Sequence, residues 1–168
     1  MSSAPSGDRA AGAVTLRDAT GDDYDFMRRL YHATREEEMT RFPFNEAQKV
    51  AFLDQQFAAQ YQHYETHYPN CERNIVLRDG RPIGRIWIDE WTDQIRLVDI
   101  ALMPEARAQG IGTKLVRDVL DRGAAAGKPV TIHVEAFNPA RHLYQRLGFE
   151  QIDTNGIYLL MQWTPPAK

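Results

Sequence analysis

Cysteine is nearly absent: Cys71 is the single one in 168 residues. An internal disulfide and a cysteine-built zinc site are therefore excluded, and the thiol is read as incidental. Long apolar runs are missing too. None approaches the roughly 18 residues that a membrane-spanning helix needs, so no membrane partner is expected. Neither sign of charge dominates, because 20 Lys and Arg stand against 23 Asp and Glu for a net −3. A nucleic-acid binder generally shows a basic excess, so none is expected here. Residues 1–13 are rich in Ser, Ala and Gly but lack the apolar centre of a signal peptide, which predicts a loose tail and a cytoplasmic location. Two standard phosphate motifs are also missing. There is no Gly-x4-Gly-Lys-(Ser/Thr), and Gly-x-Gly-x-x-Gly fails because only Gly110 and Gly112 are in place.

What is present is ordinary for a globular chain, with 43% hydrophobic and 26% charged residues. That predicts one domain over 14–163 with a short tail at 164–168. Val14 to Arg17 reads as a first strand. Thr20-Gly-Asp-Asp opens a helix carrying Phe26, Met27, Leu30, Tyr31 and Thr34 at helical spacing. The run Glu36 to Phe44 reads as a break before a long helix from Asn45 to His67, whose Val50, Leu53, Phe57, Tyr61, Tyr64 and Tyr68 share a face. The period then changes. Arg73 to Arg78 and Pro82 to Asp89 flank Asp79-Gly80, a hairpin signal, and Trp91 to Gln94 turns the chain into a third strand, Ile95 to Met103. Pro104 closes that strand, a short loop follows, and Gly110 opens a helix that runs to about Ala126 before Gly127.

Val130 to Ala136 is the next strand, reached across a helix and so parallel to Ile95–Met103. Thr131, His133 and Glu135 alternate with Val130, Ile132 and Val134. A central strand with one polar face suggests a cleft. Asn138-Pro-Ala opens a short helix with Asn138 as its cap and Pro139 first in the turn. The last elements, Glu150–Thr154 and Ile157–Trp163, are read as a hairpin around a type I′ turn at Asn155-Gly156.

Chemistry concentrates in two stretches. The first is Arg107-Ala-Gln-Gly-Ile-Gly-Thr113, between a strand and a helix. The first-turn N–H groups of a helix lack partners within it and its dipole favours an anion there, while glycine lets a phosphate approach the backbone. The second is Asn138-Pro-Ala-Arg-His-Leu-Tyr144-Gln-Arg-Leu-Gly-Phe149.

Taken together, these two stretches resemble the GNAT superfamily of acyl-CoA-dependent N-acyltransferases. Ile100 to Pro104 resembles the strand before the family's acetyl-CoA pyrophosphate loop, Arg107 to Gly112 the loop, and Asn138 to Phe149 its Asn…Leu-Tyr-x-x-x-Gly-Phe segment. The resemblance implies an α/β fold of the α+β type. Its mixed, mostly antiparallel sheet has about seven strands, splayed between two central parallel ones, with about four helices. It implies acetyl-CoA as co-substrate, no metal, and a small-molecule or peptide amine as acceptor. The oligomeric state, a homodimer included, stays open. So does an alternative function, an acyl-CoA-sensing domain without catalysis.

The resemblance also assigns residues. Backbone groups of Ile100, Ala101 and Leu102 would pair with the pantetheine arm. Arg107, Ala108, Gln109, Gly110, Ile111, Gly112 and Thr113 would form the pyrophosphate loop, and Asn138 would touch the pantetheine. Tyr144 matches the acid that protonates the leaving thiolate. For the base, His133 and Glu135 are the candidates on the polar face, with Asp99 or no protein group as alternatives. The acceptor pocket is expected between the Met39–Phe44 linker, the two N-terminal helices and the Arg85–Trp91 strand end. Glu36, Glu37 and Glu38 read as a solvated helix end, and Trp87, Trp91 and Phe42 as packing.

Overall fold

A computed structural model describes residues 12–167. The tail expected over 1–13 lies outside the described residues except for Gly12 and Ala13. Ala13 is tied down, since its N–H donates to Asp79 Oδ1 at 3.1 Å and its carbonyl accepts the Asp79 N–H at 3.0 Å.

Seven strands form one sheet: β1 (Val14–Asp18), β2 (Glu72–Arg78), β3 (Arg81–Glu90), β4 (Ile95–Leu102), β5 (Val130–Glu135), β6 (Glu150–Asn155) and β7 (Tyr158–Trp163), in the order β1-β2-β3-β4-β5-β7-β6. Every neighbouring pair is antiparallel except β4 and β5. The β2–β3 hairpin turns at Asp79 (φ 52°) and Gly80 (φ 79°), both positive as a type I′ turn requires. The last hairpin differs from expectation. Its β6 ends at Asn155 and β7 begins at Tyr158, so Gly156 and Ile157 are the central residues. Gly156 has φ 62° while Ile157 is not among the positive-φ residues, the sign pattern of a II′ turn. Asn155 was drawn into the ladder, where it pairs with Tyr158.

Each face of the sheet carries its own helices and core. Helices α1 (Tyr24–Met39) and α2 (Glu46–His67) cover one face, burying Met27, Leu30, Leu53 and Phe57 against Ile75 and Trp87. Helices α3 (Ile111–Ala126) and α4 (Ala140–Arg146) cover the other, with Val116, Val119 and Tyr144 packed on Ile86, Leu97, Ile132 and Val134. Full burial of one such side chain contributes about 1.5–3 kcal/mol, which is why the apolar periodicity was readable.

At the start of α1, Thr20 and Asp23 form a reciprocal cap around the 3-10 turn Gly21–Asp23, and Arg17 grips Asp23 at 2.7 and 2.8 Å. The expected break at Glu36–Phe44 falls later, because α1 continues through all three glutamates to Met39. Asn45 then caps α2 through a bond with the Gln48 N–H. Among the described residues no helix is long and apolar enough to cross a membrane.

Candidate active site

The parallel pair β4–β5 is joined at only three positions, Ile95 with Val130, Arg96 with Thr131 and Leu97 with Ile132. Beyond Leu97 the strands part. β4 keeps its outer partner β3 as far as Leu102 opposite Gly84, and β5 keeps β7 as far as Glu135 opposite Tyr158. The parting begins where the β3–β4 register shifts, leaving Val98 as an extra residue between Leu97 and Asp99. A bulge of this kind bends a strand and breaks its ladder on one side. The inner backbone edge of Val98–Leu102 is thereby freed to pair with an extended ligand. Gly84 holds β3 against this segment, since any Cβ there would collide with the Ala101 carbonyl.

The loop from β4 to α3 is sharply bent. Ala106 is fully buried and anchors it. Ala108 (φ 59°) and Gly110 (φ 81°) both lie in the left-handed region. For alanine this costs about 1–2 kcal/mol, and such strain gathers at ligand sites. Arg107, just before Ala108, is extended, so the chain reverses sharply over these residues. Gly110 caps α3 with no side-chain bond, and the first turn holds no acidic residue. The N–H groups of Ile111, Gly112 and Thr113 thus keep their positive potential. Gln109 braces the loop by donating to the Glu105 carbonyl at 2.7 Å and accepting from Arg78 Nη1. Arg107 Nε donates to the Leu102 carbonyl at 3.0 Å, tying the loop to the end of β4.

Asn138 follows β5, and its Oδ1 accepts the Ala140 N–H at 2.9 Å to start α4. One turn on, Tyr144 is 4% exposed, with its ring edge-on to Phe149 at 5.6 Å. Burial pushes its hydroxyl above the ordinary tyrosine value, and the nearby Asp99 carboxylate pushes it further. Asp99 pairs with Trp87 across the ladder, so it faces the α1–α2 side. There it forms an ion pair with Arg85, which is 3% exposed. Arg85 Nη2 also donates to Gln60 Oε1 at 2.7 Å, while Nη1 is buried without a partner.

The polar face of β5 is closed at one end only, since His133 is exposed and Glu135 half-buried. Thr131 is buried. His133 Nδ1 accepts from Arg96 Nη1 at 3.2 Å, and the same guanidinium reaches Thr131 Oγ1 at 2.9 Å and the Tyr68 hydroxyl at 3.2 Å. Burial, then the charge of Arg96, lowers the His133 pKa from 6.5. The neutral ring whose Nδ1 accepts carries its proton on Nε2, so neither nitrogen offers a free lone pair. Glu135 Oε1 meets Arg35 Nη1 of α1 at 3.1 Å.

Glu135 and Arg35 line a cavity of about 200 Å³ on the α1–α2 side. One wall is α1, Phe42 of the linker and α2. The opposite wall is Phe137, Ile157 and Tyr158, not the Arg85–Trp91 strand end. That end is taken up by packing, with Trp87 fully buried and Trp91 stacked on Tyr68 at 6.2 Å. Phe42 and Glu38 also line the cavity. Arg35 and Arg85 were missed. Arg85 had a signal, a lone charge inside the apolar run Ile83–Ile88; Arg35 had none.

The sheet and its parted parallel strands define the fold class of the N-acetyltransferases. The described chain superimposes on the PaiA N-acetyltransferase of Thermoplasma acidophilum in complex with coenzyme A with a TM-score of 0.68, at 15% identity, covering 90% of this chain and 99% of that one. An acetyltransferase from Thermus thermophilus gives 0.64 at 14% identity, covering 92% and 97%. A GNAT-family acetyltransferase from Elizabethkingia anophelis with acetyl-CoA bound gives 0.57 at 19%, covering 90% and 97%. Residues 27–149 match the model of the Acetyltransferase (GNAT) family, and the chain belongs to that family.

Proposed function

We propose that the protein transfers an acetyl group from acetyl-CoA to the primary amine of a small molecule or peptide by direct attack. The observation that carries this is the parting of β4 from β5 beyond Leu97, in a chain whose α3 starts without a side-chain cap and whose Tyr144 is buried in the core cluster that holds Ile132 and Val134 of β5. In this reading the pyrophosphate takes the N–H groups from Ala108 to Thr113, and the pantetheine arm pairs with the freed edge at Ile100 to Leu102 and touches Asn138. Arg107 would release or share the Leu102 carbonyl.

The amine, as its neutral form, attacks the thioester carbon. An N–C bond forms, the C–S bond breaks, and a backbone N–H near Ile100 stabilises the developing oxyanion. Tyr144 gives its proton to the departing thiolate, and the proton released from the nitrogen restores the tyrosine through solvent. Of the base candidates, Glu135 and Asp99 are each paired with an arginine, but only Glu135 lines the cavity, and the His133 Nδ1 lone pair is taken by Arg96. Glu135 is therefore assigned to hold the incoming ammonium, which loses its proton to the carboxylate or to water. The test is amine-dependent thiol release from acetyl-CoA by the purified chain. Thiol release is expected to rise with amine concentration; CoA binding without release for any primary amine would remove the catalytic reading.

A further inference from the structure

We infer that the acceptor is a small primary amine built on one aromatic ring and bearing no carboxylate, an inference that rests on the acetyltransferase reading above. Large apolar side chains exposed to water need a reason when they gather. Phe42, Phe137, Ile157 and Tyr158 are 45%, 61%, 54% and 46% exposed, and all four line the cavity beside Glu135. They come from three separate segments: the α1–α2 linker, the end of β5, and the β6–β7 turn. Phe52 of α2 stands behind Phe42 at 6.4 Å and completes the wall. An aromatic ring entering between these walls gains their contact area together with favourable edge and face geometries.

The charges select the other end of the ligand. Arg35 Nη1 lies 3.1 Å from Glu135 and 3.4 Å from Glu38, and its guanidinium sits over the Tyr31 ring at 5.2 Å. The one cation in the cavity is thus already shared between two carboxylates, leaving the group with a net charge of −1. An ammonium is attracted there, while a carboxylate on the ligand finds no free cation and two repelling anions. Glu135 ends β5, one of the two strands that part, so an ammonium beside it stands on the border of the gap.

Size narrows the class further. A cavity of about 200 Å³ is below the range of about 300–1,000 Å³ typical of drug-sized ligands, and suits one ring with a short chain. A polyamine would need anions spaced along its length. Glu38 and Glu135 instead converge on the same arginine nitrogen.

The experiment compares 2-phenylethylamine, phenylalanine, spermidine and n-butylamine in the thiol-release assay with acetyl-CoA. For 2-phenylethylamine, kcat/KM is expected to exceed each of the others by about tenfold or more, the order expected for one buried ring or one unfavourable charge contact. In Phe52→Ala that lead over n-butylamine should shrink. In Glu38→Gln the KM for 2-phenylethylamine should rise while kcat stays. Preference for any of the other three, or equal use of all four, overturns the inference and leaves the acetyltransferase reading standing. Turnover with none of them also overturns it. CoA then decides the wider question: a raised melting temperature keeps the donor site, and no rise removes both readings.

Discussion

Tyr144 is a phenol that holds its proton tightly, through burial first and the Asp99 charge second. A raised pKa alone would make it a poorer acid. In the proposed mechanism, however, the thiolate forms in the same desolvated gap and suffers the same penalty, so the two proton affinities rise together. The result is an acid that is fully protonated across the working pH range. His133 is displaced in the opposite direction, below 6.5, by burial and Arg96. Its folded form binds protons less readily than its unfolded form. The stability tied to neutral His133 is thus complete above 6.5 and is lost as pH falls from there through the lower folded pKa. The melting temperature should drop over that interval, and His133→Gln should flatten the drop; an equal slope in the variant would remove His133 as its source. At Asp99, substitution by Asn strips the counter-charge from Arg85, which is 3% exposed with one nitrogen already unpartnered. Stranding a buried cation this way costs about 3–5 kcal/mol, measurable by urea unfolding. A loss below about 1 kcal/mol would show that Gln60 and the neighbouring rings suffice.

At the scale of elements, the β4–α3 junction carries the most specific geometry. Gly110 adopts φ 81° with no side chain within 4 Å of where a Cβ would stand, so the demand for glycine is conformational and not steric. Gly110→Ala should cost about 1–2 kcal/mol of stability and weaken CoA binding, because relaxing the loop turns the first-turn N–H groups away. Unchanged CoA affinity by calorimetry would mean those groups do not hold the pyrophosphate. Much of this junction was legible because its signals are local: strand, proline, loop, glycine, helix. The Asp79-Gly80 hairpin was legible for the same reason. The left-handed Ala108 was not, since alanine advertises nothing. The last turn was placed one residue early because Asn-Gly is the stronger local signal, and ladder pairing of Asn155 with Tyr158 overrode it.

For the whole molecule, the gap follows from topology. A sheet that joins two antiparallel blocks through one parallel pair is held there by only three pairings, and they end where β4 bulges against β3. The order of elements that leads to this seam could be followed along the sequence. What joins distant segments could not. The cavity wall that pairs α1 with the β6–β7 turn, the Arg35–Glu135 bridge across 100 residues, and the Arg85–Asp99 pair depend on tertiary contact and leave no periodic trace. These hidden contacts shape the side proposed for the acceptor, whereas the side proposed for the donor is written in contiguous motifs.

Acid catalysis by Tyr144, buried in the same core cluster as Ile132 and Val134 of β5, is central to the proposed mechanism. The direct test is Tyr144→Phe, comparing single-turnover acetyl transfer with CoA affinity measured by calorimetry. The rate should fall by roughly 10²–10⁴-fold, the span of a lost general acid, while the Kd for CoA stays within about twofold. A variant that transfers acetyl at the wild-type rate would contradict the claim.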